Sequence, residues 1–253
     1  MSTLFGESNV RLKNNGSYAD IVLDKTTVSG LVSKNRYYHG FFNAAIKLPA
    51  GVTSGIVLAI YMSNANVFPN NHDEIDFELL GCAKRSQWVL QTNMYGNGNE
   101  EKVSLWFDPK QQFHQYTILW NHHHIVQHTY ARGNPQPSGF NCVPIKADVT
   151  IYHYLGPVNY KYAPFVGSLG ELEIVGCLMQ KANSIKAGDG CLKNATVSSL
   201  DPVDGEEYAR LSKQQMAGMN WVRKKRMAYS YCKDTTRYKV MPPMLNKSIF
   251  VIA

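Results

Sequence analysis

The chain has 253 residues and a formal charge of +7, a length that fits one large domain, or one domain with a short appendage. No apolar run reaches 18 residues, which argues against a membrane-spanning helix, and Met1 to Val10 shows no charged region followed by an apolar stretch, so no secretory leader is visible. The positive charge admits an anionic partner, and the 15 tyrosines admit stacking on sugar faces as readily as core filling.

Short strands between turns are predicted from residue 18 to 175. Tyr18 to Leu23 alternates. Tyr37 to Leu48 runs into Pro49. Gly55 to Tyr61 is a continuous apolar run, the pattern of a strand buried on both faces. His72 to Leu80, Trp88 to Tyr95, Val103 to Phe107, His114 to Trp120 and Glu171 to Val175 complete the series. This spacing predicts an all-β fold, an antiparallel jelly-roll sandwich. Between His128 and Gly156 the pattern breaks down, with prolines at 135, 137, 144 and 157. After Asp201-Pro202 the character changes. Ser212 stands three residues before Gln215, a capping-box spacing. A helix to about Tyr229 is predicted there, with Leu211, Gln215, Met219 and Val222 on one stripe. The tail is therefore read as a small helix-containing extension.

The segment that carries chemistry is His72-Asp73-Glu74-Ile75-Asp76-Phe77-Glu78-Leu79-Leu80. On a strand, Ile75, Phe77 and Leu79 take one face and Glu74, Asp76 and Glu78 the other. Three neighbouring carboxylates repel one another and weaken a sheet, so the pattern points to a site. Residues i and i+4 lie roughly 13 Å apart at about 3.3 Å per residue. Two glutamates leaning together bring their oxygens toward the ~5–5.5 Å of retaining glycosidases. Asp76 between them raises its neighbours' pKa values, and one of the three acids is expected to hold a proton near neutral pH. The alternatives are a solvated acidic face and a Ca²⁺ or Mg²⁺ site, although a loop Ca²⁺ site brings Asp/Asn ligands and a turn glycine.

His-Asp-Glu-Ile-Asp-Phe-Glu-Leu-Leu-Gly at 72–81 resembles the catalytic signature of plant xyloglucan endotransglucosylase/hydrolases, a branch of glycoside hydrolase family 16. Thr3-Leu4-Phe5-Gly6, Tyr38-His39-Gly40-Phe41-Phe42, Gln91-Thr92-Asn93, Leu105-Trp106-Phe107-Asp108-Pro109 and Asn159 to Phe165 are similar too. So is the run from Ser199 to Cys232, which looks like the subgroup containing xyloglucan hydrolases. The resemblance implies a catalytic domain over 1–176 and a family-specific extension over 177–253. It implies Glu74 as nucleophile, Glu78 as acid/base and Asp76 as helper. Gln91, Asn93, Tyr61 and Glu100 would line the cleft. It also implies xyloglucan and oligosaccharide acceptors as partners, a monomer, no nucleic-acid or membrane partner, no cofactor, and secretion to the plant cell wall.

The chain departs from this pattern in places. Gly98-Asn99-Glu100-Glu101 is shorter than the family loop and lacks its arginine, and 127–157 lacks the family's tryptophan-rich acceptor segment. Cys232 has no partner after Pro242-Pro243. The expected function is cleavage or religation of the xyloglucan backbone. A glucan-binding protein with impaired catalysis is the alternative, and a structural or metal-binding β protein is a third reading.

Of the five cysteines, Cys177 and Cys191 bracket a short loop, a spacing that suits a disulfide, with two unpaired thiols as the alternative. His122-His123-His124 reads as a strand end or turn, because no third metal ligand is placed. Arg223 to Arg226 reads as a solvated helix face, and the four tryptophans, Trp106 least clearly, as core. The sequons at Asn15, Asn194 and Asn246 matter only in a secreted chain.

Overall fold

The computed structural model describes residues 1–70, 72–82, 87–95, 99–130, 138–140, 155–178, 202–203, 205–234, 236 and 251–252. Their strands run in the order β1 (Ser2–Phe5), β2 (Val10–Lys13), β3 (Tyr18–Leu23), β4 (Gly30–Val32), β5 (Tyr37–Lys47), β6 (Val57–Ser63), β7 (Glu74–Gly81) and β8 (Trp88–Tyr95). Then come β9 (Asn99–Ser104), β10 (His114–Trp120), β11 (Ile125–Tyr130), β12 (Ser138–Phe140), β13 (Phe165–Leu178), helix α1 (Lys213–Lys225), β14 (Met227–Ser230) and β15 (Val251–Ile252). A seven-stranded sheet has the order β12-β11-β10-β5-β13-β3-β2, and a six-stranded sheet has the order β14-β9-β8-β7-β6-β15. A separate pair joins β1 to β4. The jelly-roll sandwich expected from the alternation is the fold observed.

The two sheets close on one core. From β7 come Ile75, Phe77 and Leu79; from the facing sheet come Phe42, Ile46, Tyr116 and Ile118. Phe77 meets Tyr116 edge to face, with ring centroids 5.9 Å apart. Phe77 is fully buried, and Phe77→Ala is expected to cost about 3–5 kcal/mol, read as a shift in the denaturant midpoint. A change under ~1 kcal/mol would contradict this packing.

The acid strand ends at a tight junction. Gly81 donates to the Ile56 carbonyl at 2.8 Å and accepts from Gly55 at 3.1 Å. A Cβ on Gly81 would lie 2.0 Å from the Thr53 carbonyl oxygen. Gly55 itself has φ +76°, a conformation that favours glycine. This junction fixes where β7 stops.

Several expectations need correction. Gly55 to Tyr61 is not buried on both faces: the strand is Val57–Ser63, and Val57 and Ala59 are exposed. Continuous apolar sequence cannot distinguish a covered face from an open one. The strand expected at Val103 to Phe107 is shifted to Asn99–Ser104, because pairing with β8 runs from Val89–Ser104 to Met94–Asn99. The last strand of the series starts earlier, at Phe165, and carries a bulge between Gly170 and Glu173. The strands at β1, β2, β4, β11, β12, β14 and β15 were not expected.

The helix has the capping box read from the sequence. Ser212 Oγ accepts from Gln215 N at 3.1 Å, and Gln215 Oε1 accepts from Ser212 N at 2.8 Å. It stops at Lys225, short of Tyr229, because Met227–Ser230 pairs with β9 as a new edge strand of the acid-bearing sheet. Long-range pairing overrides the helical pattern there. Val222 packs on Val103 with Trp106 beside it. Trp221 is a correction to the core reading: it is 42% exposed, with Arg226 over its ring and Trp106 at its edge.

Val203, Tyr208 and Leu211 cover Leu119, Val126 and Phe41 on the outer side of the larger sheet. Asn121 secures this contact by donating to the Val203 carbonyl at 3.0 Å and the Tyr208 carbonyl at 3.2 Å. The same side chain accepts from His123 N and His124 N, both at 2.9 Å. The histidine run is therefore the β10–β11 turn, as its sequence indicated. Lys224 and Lys225 are exposed and Arg223 and Arg226 are partly covered, so the basic run is only half a solvated face.

Candidate active site

Strand β7 occupies an interior position of its sheet, paired with β6 and β8. Its even-numbered side chains face away from the core, and cross-strand register extends each into a row. Glu74 lies between Ser63 and Tyr95. Asp76 lies between Tyr61 and Asn93, and Glu100 follows Asn93 on β9. Glu78 lies between Ala59 and Gln91, with Lys102 and then Tyr229 beyond. All seven site residues named from the sequence, Glu74, Asp76, Glu78, Tyr61, Gln91, Asn93 and Glu100, thus share one face of one sheet.

Hydrogen bonds hold the acids in place. Gln91 Nε2 donates to Glu78 Oε2. Asn93 Nδ2 donates to Asp76 Oδ2 at 3.2 Å. His72 Nε2 lies 4.0 Å from Glu74 Oε2. Upstream, Asp73 N donates to Asn64 Oδ1 at 2.7 Å, and Asn64 Nδ2 reaches Asp73 Oδ2 at 3.3 Å. These bonds tie the two ends of the β6–β7 loop together just before Glu74.

Burial and like charge set the protonation order. Asp76 is 3% exposed. Burial first, then the charges of Glu78 and Glu74, push its carboxyl well above the usual carboxylate range, against the Asn93 hydrogen bond. Glu78 is also raised, chiefly by burial, with Glu100 and Glu74 adding and the Gln91 bond and Lys102 opposing. Burial, and then the Glu74 charge, raise the Tyr61 phenol. A shared face of this kind favours the protonated forms of Asp76 and Glu78.

Lys102, His72 and the Asn64–Asp73 clasp escaped the sequence reading. Lys102 was legible in the alternation of Glu100, Lys102 and Ser104, had the strand been placed four residues earlier. The other contacts depend on tertiary approach. Among the described residues no group of three or more His, Cys, Asp or Glu side chains is arranged to hold a metal ion. Cys177 is buried and disulfide-bonded. Cys191, its expected partner, lies outside the described residues. So does most of the segment expected to lack the acceptor-side residues, 131–137 and 141–154.

A jelly-roll sandwich carrying alternating carboxylates on one face of a central strand is the architecture of a β-sandwich glycoside hydrolase. The chain belongs to glycosyl hydrolase family 16, whose description matches residues 1–129, and residues 199–244 match the xyloglucan endo-transglycosylase (XET) C-terminus. It is 37% identical to the Arabidopsis thaliana probable xyloglucan endotransglucosylase/hydrolase protein 28, over 94% of this chain and 75% of that one. It is 38% identical to protein 27 of the same plant, over 94% and 74%. In structure it aligns with the Bacillus licheniformis β-glucanase at a TM-score of 0.47 and 20% identity, over 72% of this chain and 90% of that one. The first family match stops at 129, close to where the family motifs fade in the sequence.

Proposed function

We propose that the chain is a retaining, endo-acting enzyme that cleaves the β-1,4-glucan backbone of xyloglucan and passes the glycosyl group to water or to another sugar chain. The observation that carries this reading is the row of Glu74, Asp76 and Glu78 on one sheet face, with Asp76 and Glu78 raised. Relatives sharing over a third of their residues with this chain bear the name xyloglucan endotransglucosylase/hydrolase.

In the proposed mechanism, ionised Glu74 attacks the anomeric carbon as Glu78 gives its proton to the departing glycosidic oxygen. The glycosidic C–O bond breaks and a glycosyl ester forms on Glu74. Glu78, now ionised, takes the proton of a water or sugar hydroxyl, whose oxygen attacks the anomeric carbon and frees Glu74. Neutral Asp76 donates a hydrogen bond that orients Glu74. Tyr61, Gln91, Asn93 and Glu100 line the floor that receives the sugar. Residues 1–176 form the catalytic domain and 177–253 its extension. The setting is the plant cell wall, reached by secretion. Among the described residues no helix is long and apolar enough to cross a membrane.

The test is an assay of the purified protein on xyloglucan, with and without a labelled oligosaccharide acceptor. Chain shortening, label transfer, or both are the expected results. Binding of xyloglucan oligosaccharides with neither reaction, by protein shown to be folded, overturns the reading in favour of a glucan-binding protein.

A further inference from the structure

We propose that Gln127, on the opposite sheet, is a positioning residue for the acids of β7, an inference that rests on the enzymatic reading above. Gln127 lies on β11 in register with Ile118, whose side chain is in the sandwich core. It is 7% exposed. Its neighbours on that face include the apolar Ile125, Ile118 and Phe42, and the polar Thr129, whose hydroxyl is satisfied by the Gln115 carbonyl at 2.8 Å. Its Nε2 crosses the core and donates to the main-chain oxygen of Asp76 at 2.5 Å.

Packing alone does not call for an amide at this place. Removing an amide from water costs roughly 1–3 kcal/mol unless a hydrogen bond compensates it. A leucine or methionine would fill the same space without that cost. What the amide adds is a fixed point. Asp76 is the middle acid, with Glu74 and Glu78 two residues to either side on the same face. Holding its peptide from behind fixes the height of all three carboxylates above the sheet. The displacement tolerated in a reacting geometry is a fraction of an ångström, and misplacement of about 1 Å costs up to ~10²-fold in rate. The contact comes from the core side, so it touches no sugar. Its loss acts on the chemical step and leaves binding intact.

The charged groups coupled to Asp76 are Glu74, Glu78 and Glu100, and Lys102 is coupled to Glu78. All lie on the far face of the sheet from Gln127. A shift of β7 relative to these groups moves the titration of Asp76 and Glu78 together.

The experiment compares Gln127→Met, of similar length and without a donor, with the unaltered protein. On xyloglucan, kcat is expected to fall about tenfold or more with KM within about twofold, and the pH limbs of kcat to move by about half a unit. A Met variant that loses stability but keeps kcat and both pH limbs overturns the inference. Should that variant not fold, the unaltered protein carries the test. With ¹⁵N-labelled glutamine, the Gln127 side-chain resonance is expected to titrate with the acids. A resonance that stays fixed while the acids titrate overturns the inference. This reading needs no turnover, so an inactive protein with a titrating Gln127 sinks the enzymatic proposal and not this one.

Discussion

Glu74→Gln is expected to lower kcat/KM on xyloglucan by at least about 10⁴-fold, because a neutral amide cannot form the glycosyl ester. The thermal unfolding midpoint should hardly change, since the Glu74 side chain is partly exposed and its nearest ion-pair partner, His72, stands 4.0 Å away. Glu78→Gln differs in kind. It removes the proton given to the leaving oxygen, so the loss is about 10²–10⁴-fold on xyloglucan and much smaller on donors whose leaving group needs no proton. Asp76→Asn should cost less than either, because a carboxyl held neutral by burial is mimicked by a neutral donor of the same shape. Steady-state rates on natural and activated donors check all three. Retained turnover in Glu74→Gln, or an Asp76→Asn loss exceeding that of Glu74→Gln, would remove the assignment of roles.

Glu101→Gln is expected to stabilise the protein, by up to about 3 kcal/mol at pH 7. Glu101 follows Glu100 on β9 but points to the other face, in register with Thr92 and Ser230. It is 4% exposed, and burial pushes its carboxyl up to about 9, with the Arg223 charge opposing. A raised folded-state value means that the folded chain keeps a proton the unfolded chain has lost between pH 4.5 and about 9. Stability from this group is fully present below pH 4.5 and falls as pH rises through that window, at about 1.4 kcal/mol per pH unit. Glutamine has no proton to lose and removes this slope. Denaturant unfolding at pH 4, 7 and 9 measures it. The gain should be near zero at pH 4 and grow through pH 7. An equal effect at pH 4 and pH 7 would show that Glu101 is ionised in the fold.

The buried position of Glu101 illustrates what strand alternation conceals. Glu100 and Glu101 are adjacent in sequence and alike in chemistry. One joins the acid face of the site, and the other is sealed on the opposite face near Val103 and α1. Which glutamate goes where depends on register with β8 and on the cover supplied by a segment more than a hundred residues downstream. Neither can be read from the local sequence.

Local patterns were sufficient wherever the physics is local. Alternation over 72–80 places three carboxylates on one face, because a strand's side-chain period is two whatever surrounds it. The Ser212–Gln215 box starts the helix, because a cap uses only its own turn. The strands at Tyr18–Leu23, Trp88–Tyr95 and His114–Trp120 have the limits their sequences predict. Tertiary contacts decided the rest. They turned Met227–Ser230 from helix into the edge strand of the acid sheet, opened one face of β6, brought Lys102 into the Glu78 row, and set Gln127 behind Asp76. Each of these depends on pairing or packing between residues distant in the chain. Periodicity carries no information about such partners, because it records how a segment folds on itself and not what comes to lie against it.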